Sequence, residues 1–124
     1  ATYQAELIDW AGSHEHVQRQ NQDLSLADVR RIQHLLGAES GAARRQMLAG
    51  VFVDRDRLPD VPMLVIGAGL DRQFAEADSA RLADWLGAEY QPFGAHSHYG
   101  AVLGEQGFDQ VADTIRSFLE HHRL

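Results

Sequence analysis

Pro62-Met63-Leu64-Val65-Ile66-Gly67 is an apolar run that leads into Asp71, and the segment Gly94-Ala95-His96-Ser97-His98-Tyr99 follows about one strand–helix–strand unit later. A continuously apolar strand is typical of a parallel sheet covered on both faces, since neither row of side chains meets water. The carboxyl ends of neighbouring parallel strands lie at the same edge of a sheet. The sequence therefore predicts that Asp71 and a histidine of the second segment meet at that edge.

The residues around these two segments predict the remaining elements of a βαβα unit. Apolar residues at helical spacing predict a helix from Asp78 to Leu86, ended by Gly87, and a second helix from Phe108 to Leu119. Residues 88–93 alternate enough to form a strand, and Pro92, which cannot donate a ladder hydrogen bond, indicates a sheet edge or a strand end. The order of strand, helix, strand and helix indicates an α/β fold with a parallel crossover and a covering helix.

Residues 1–57 are more polar in pattern and are predicted to be helical, with no buried strand. A short amphipathic helical turn is expected from Leu7 to Gly12. Ser25 is placed to cap a helix that runs to Leu36 and stops at Gly37, and a further helix is expected from Ala42 to Ala49. The charged connector around Pro59 divides the chain into residues 1–57 and 58–124.

Two parallel strands are too few for a sheet that is apolar on both faces. We therefore expect a second polypeptide, a second copy or an upstream segment to complete the sheet.

Composition narrows the classes of function. The net charge of -7 over 124 residues argues against binding to nucleic acid or anionic membranes, and the absence of cysteine excludes disulfides and thiolate chemistry. No apolar run approaches the ~20 residues that cross a bilayer, and Ala1-Thr2-Tyr3-Gln4-Ala5-Glu6 does not resemble a signal peptide. We expect a cytoplasmic protein.

Asp71 and a neighbouring histidine are two of the three groups of a catalytic triad. The carboxylate of such a triad accepts a hydrogen bond from one imidazole nitrogen, while the other nitrogen takes a proton from a nucleophile. The alternative is a purely structural role, in which Asp71 caps a turn or pairs with Arg72 and the histidines lie in a solvated loop.

Residues 61–122 resemble the last two strands of the α/β-hydrolase fold, in which an acid follows one apolar strand and a histidine follows the next. The resemblance implies the C-terminal βαβα portion of a doubly wound α/β-hydrolase sheet, with residues 1–57 similar to a helical cap. It also implies that Asp71 orients the catalytic histidine. The resemblance favours His98 over His96, because the catalytic histidine of that family directly precedes an apolar or aromatic residue, here Tyr99, and this leaves His96 and Tyr99 as candidate pocket residues.

The nucleophile of that family is absent. No serine lies in a Gly-x-Ser-x-Gly elbow. Ser40 is the serine whose surroundings are most similar to this motif, but its flanking glycines have the wrong spacing. The predicted function is therefore the acid-and-histidine half of a serine-type hydrolase acting on an ester or similar acyl bond of a small molecule, with the nucleophile supplied by another segment or chain.

Two alternatives stay open: a non-catalytic binding or dimerisation module, and, more remotely, a flavodoxin-like phosphate-binding domain. No cofactor is expected, since Gly67-Ala68-Gly69 lacks the third glycine of a dinucleotide loop. No metal is expected either, because the residues of His14-Glu15-His16 and His121-His122 would diverge on a helix.

Overall fold

The computed structural model describes residues 7–9 and 13–124, which form a mixed α/β arrangement of helices and two small two-stranded sheets. The strands are β1 (Leu7–Asp9), β2 (Ala38–Ser40), β3 (Leu64–Ala68) and β4 (Glu89–Phe93). The helices are α1 (His14–Gln20), α2 (Leu26–Gln33), α3 (Gly41–Ala49), α4 (Glu76–Leu86), α5 (Gly100–Leu103) and α6 (Glu105–His122), with one 3₁₀ turn at Arg55–Arg57. None of the helices in the described residues is both long and apolar enough to cross a membrane.

Strands β3 and β4 form the predicted parallel pair. Their register runs from Leu64 opposite Glu89 to Ala68 opposite Phe93, and α4 makes the connection between them. Gly87 ends α4 with a φ of 68°, a left-handed conformation that glycine adopts without steric cost. The predicted order of strand, helix, strand and helix is confirmed, with the short α5 added before α6.

The described part of residues 1–57 contains helices as predicted, but the helical turn predicted near its start is wrong. Leu7–Asp9 is a strand that pairs antiparallel with Ala38–Ser40, where a helical turn was expected from Leu7 to Gly12. Residues 10–12 of that turn lie outside the described residues. A three-residue strand is too short to show alternation, so its partner on another part of the chain decides its conformation.

Helix α2 begins as predicted and ends early. The hydroxyl of Ser25 accepts the Asp28 amide, and the Asp28 carboxylate accepts the Ser25 amide, which together form a capping box. The helix ends at Gln33 rather than Leu36, and Gly37 is not left-handed. The amide of Leu35 donates to the Ile32 carbonyl at 2.8 Å, so a tighter turn uses the last carbonyls before the chain enters β2.

The buried hydrophobic core lies beside the helices of the N-terminal segment. Val17 and Leu24 pack with the fully buried Val29 and Ile32. Tyr99, which directly precedes α5, and Leu103, at the end of α5, pack against this cluster. On the apolar faces of α4 and α6, Val111 is buried, but five large side chains stay at least 39% exposed: Leu82, Trp85, Phe108, Ile115 and Leu119. Within the described residues, β3 is therefore not covered on both faces as its apolar sequence predicts.

Replacing Ser25 tests the contribution of the capping box. Ser25→Ala removes the hydroxyl that accepts the Asp28 amide, so we expect the free energy of unfolding to fall by about 1 kcal/mol. Urea denaturation measures the change, and Ser117→Ala, on an exposed part of α6, is the control. An equal response of the two variants would contradict a capping role for Ser25.

Candidate active site

Backbone hydrogen bonds join the loop after β3 to the loop after β4. The Gly69 amide donates to the Phe93 carbonyl at 3.0 Å, and the Leu70 amide donates to the His96 carbonyl at 2.9 Å. Because β3 and β4 end opposite one another, these bonds continue the strand pairing beyond the sheet. The residues that follow each strand are thereby held side by side.

Gly69 permits this close approach. A Cβ atom at Gly69 would lie 2.6 Å from the carbonyl oxygen of Gly94 and 2.7 Å from its Cα. Both contacts are with backbone atoms, which cannot rotate away as a flexible side chain would. Any larger residue at position 69 therefore has to push the two loops apart.

Asp71 and His98 meet at this edge, as the sequence predicts. The Nδ1 atom of His98 lies 2.8 Å from Oδ2 of Asp71. Oδ1 of Asp71 accepts the amides of Gln73 at 2.7 Å and Phe74 at 3.1 Å. The Asp71 side chain is 9% exposed and that of His98 is 32% exposed, so the pair is partly shielded from water.

The surroundings favour the ionised form of Asp71. Burial acts to raise the pKa of the Asp71 carboxyl, but the hydrogen bonds from His98, Gln73 and Phe74 outweigh it and lower the pKa below its ordinary value. An ionised carboxylate on Nδ1 makes that nitrogen the proton-bearing one. Nε2 is then the basic nitrogen, and it has no hydrogen-bond partner among the described residues.

Aromatic rings flank His98. Its ring centroid lies 5.9 Å from that of Phe74 and 5.2 Å from that of Tyr99, the latter contact edge-on. All three side chains line a cavity of about 340 Å³. Burial, with a smaller effect of Glu39, raises the pKa of the Tyr99 phenol, so Tyr99 enters this cavity as a neutral group.

His96 lies in a different environment. It is 8% exposed, with Nδ1 3.4 Å from Oδ2 of Asp23 and Nε2 3.3 Å from Oε1 of Gln110. It lines a separate cavity with Asp23, while Tyr99 shares the cavity of His98. Of the two candidate pocket residues, the structure thus brings Tyr99 to the site and turns His96 away from it.

Asn21 and Asp23, which sequence reasoning missed, hold the histidine loop from the N-terminal segment. Oδ1 of the buried Asn21 accepts the Tyr99 amide at 2.8 Å and the Ser97 hydroxyl at 3.0 Å. Oδ2 of Asp23 accepts the Ser97 amide at 3.0 Å. No pattern in the sequence marks these residues, because polar side chains between two helices are ordinary there.

The described residues place no serine hydroxyl in hydrogen-bond contact with His98. The hydroxyl of Ser40 accepts the Ala43 amide as the N-cap of α3, and the buried Ser97 hydroxyl donates to Asn21. Over the same described residues, no group of three or more histidine and carboxylate side chains is arranged to hold a metal ion.

Comparisons with known proteins do not identify a relative. No protein-family model matches the chain, and neither the curated proteins nor the solved structures include a significant match. The functional interpretation therefore depends on the geometry of the chain itself.

The backbone contact at Gly69 yields a direct prediction. Gly69→Ala places a methyl group against Gly94, so we expect the loops to separate and the hydrogen bond between Asp71 and His98 to lengthen or break. Nitrogen-15 NMR of the neutral His98 ring reports the loss as a smaller share of the Nδ1–H tautomer. Gly37→Ala is the matched control, since a Cβ at Gly37 meets nothing within 4 Å. An unchanged tautomer in Gly69→Ala would contradict the prediction.

The lowered pKa of Asp71 predicts how stability depends on pH. A carboxyl whose pKa is lower in the folded state stabilises the fold above its unfolded pKa, and this contribution disappears as the pH falls through the folded pKa. We expect the difference in unfolding free energy between the parent and Asp71→Asn to be largest above about pH 5 and to shrink below about pH 4. Urea denaturation at a series of pH values measures it. A difference that stays constant across this range would contradict the assignment.

Proposed function

We propose that this chain is the acid-and-histidine half of a serine-type α/β hydrolase that acts on an ester or similar acyl bond. The observation that carries the proposal is the 2.8 Å contact between His98 Nδ1 and Asp71, with Nε2 left for another group at the edge of a cavity. Hydrogen bonds from His98 and from two peptide amides keep Asp71 ionised and fixed in place, and they outweigh the opposing effect of its partial burial. This is the arrangement in which a carboxylate orients a catalytic imidazole.

Each residue has a defined part in the reaction. His98 Nε2 takes the proton of a serine hydroxyl as the serine oxygen bonds to the acyl carbon, and Asp71 stabilises the resulting imidazolium. His98 then gives that proton to the leaving oxygen as the ester bond breaks. Water, activated by His98 in the same way, releases the acyl group as an acid and restores the serine.

The nucleophile comes from another segment or polypeptide in this proposal. In the described residues β3 pairs only with β4, so the other edge of β3 is available for a further strand. Leu64, Val65 and Ile66 are only partly buried, although an apolar run of this kind suits a strand covered on both faces. An added strand and its helix would bury these side chains and carry the serine to the sheet edge.

The second candidate function is a non-catalytic binding or dimerisation module. The lack of a serine at His98 among the described residues favours it, as do large apolar side chains in water, such as Phe52 at 91% exposure. The two functions differ in one respect that can be measured. Only the hydrolase requires His98 to activate a serine.

Serine labelling across the assembly tests the proposal. The chain is tagged in its source organism and purified with its associated polypeptides, which are treated with a fluorophosphonate probe and assayed on a p-nitrophenyl ester. We expect one labelled serine and ester hydrolysis. His98→Ala should reduce kcat roughly 10⁶-fold, because the serine loses its base, and Asp71→Asn roughly 10⁴-fold, because the base loses its orientation.

His14→Ala is the matched control, since His14 is an exposed histidine at the start of α1. It should leave both labelling and kcat unchanged. Hydrolysis that survives in both His98→Ala and Asp71→Asn would overturn the hydrolase assignment. The absence of any labelled serine would favour the binding module instead.

A further inference from the structure

The cavity beside His98 continues into a second, larger one. The two cavities, of about 340 and 420 Å³, share much of their lining. Only the smaller one includes His98, while the larger one extends to α1 and the end of α3. We call the pair the acyl groove; its shared lining residues are Leu36, Arg44, Met47, Gln73, Phe74 and Tyr99. The groove thus extends from His98 toward α1 and the end of α3.

Large apolar side chains line the acyl groove and remain open to water. Met47 is 54% exposed, Leu48 73% and Phe74 48%. The half-buried Leu36 adds further apolar surface along its length. Burial of apolar surface is favourable, so an apolar ligand that covers these side chains would be stabilised by the hydrophobic effect.

We propose that the acyl groove binds the unbranched apolar acyl chain of the substrate, with the acyl carbon at the His98 end. The inference rests on the proposed hydrolase function and names its substrate class. A groove of two adjoining cavities, with apolar side chains from one to the other and the imidazole in only one of them, fits an extended alkyl chain better than a compact polar group. The rings of Phe74 and Tyr99 would contact the first carbons of the chain, since both rings flank His98.

Binding of alkanols tests the groove without any nucleophile. Titration of the chain with 1-hexanol, 1-octanol and 1-decanol, followed by proton–nitrogen NMR, gives three dissociation constants. Each pair of added methylenes should tighten binding roughly tenfold to fifteenfold while the groove has room. The amide signals of Phe74 and Tyr99 should shift in every titration.

Two matched substitutions locate the site. Met47→Gln makes the lining polar at nearly constant length and should weaken 1-octanol binding several-fold, as one apolar contact surface is lost. Leu82→Gln is the control, because Leu82 is similarly exposed, at 47%, but lies on α4 outside the groove. Equal effects of the two variants would overturn the proposal. So would dissociation constants that do not change with chain length.

Binding of octanoate distinguishes recognition of an apolar chain from recognition of a negative charge. Arg44 lines both cavities and could attract an anion. If the groove recognises negative charge, octanoate should bind and 1-octanol should not. That result would overturn the proposal. Comparable binding of the two supports it. These titrations do not involve serine chemistry, so an acyl groove confirmed by alkanols would stand even if the fluorophosphonate experiment found no hydrolase. Hydrolysis dependent on His98 with no alkanol binding would contradict the substrate class alone.

Discussion

The parallel pairing of Ala68 with Phe93 is the constraint on which the candidate site depends. It ends both strands at the same level, so the Gly69 and Leu70 amides can reach carbonyls of the neighbouring loop. Asp71 and His98 are 27 residues apart in the chain, and this short ladder is what brings them within 2.8 Å. A shift of one residue in the register would point the side chains of one strand to the other face and separate the two loops.

Burial in this chain is concentrated away from the sheet, and this distribution has a consequence for the site. The cluster of Val17, Leu24, Val29 and Ile32 is covered by Tyr99, the residue next to His98. Asn21 and Asp23, adjacent to the same cluster, accept the amides of Tyr99 and Ser97. The histidine loop is therefore fixed by the N-terminal segment as much as by the strand that precedes it, even though the sheet itself is thinly covered.

The sequence predicted those parts of the structure that depend on local pattern. Strand β3, helix α4 and the start of α2 follow from an apolar run, helical spacing and a capping box. The order of strands and loops predicts that Asp71 meets a histidine of the second loop, and the family resemblance favours His98. The pairing of β1 with β2 was not predictable, because three residues carry no period. Nor were Asn21 and Asp23, since their role is to bind backbone amides more than 70 residues away, and only the folded chain brings them there.

The contrast between His96 and His98 shows why only one of two neighbouring histidines suits the proposed chemistry. Both ring nitrogens of His96 have partners, at 3.4 and 3.3 Å, and the residue is almost fully buried, so it stabilises the loop in one position. His98 has one nitrogen on a carboxylate, while the other has no partner among the described residues. A general base needs both conditions, since the bound nitrogen fixes its orientation and the unbound one receives the proton. Phe74 lies shortly after Asp71, and Tyr99 lies between His98 and α5. Their rings flank His98 and line the acyl groove beside it. Phe74 and Tyr99, which would contact the acyl chain, are thus held by the same two loops as Asp71 and His98, whereas Met47 and Leu48 of the groove come from α3.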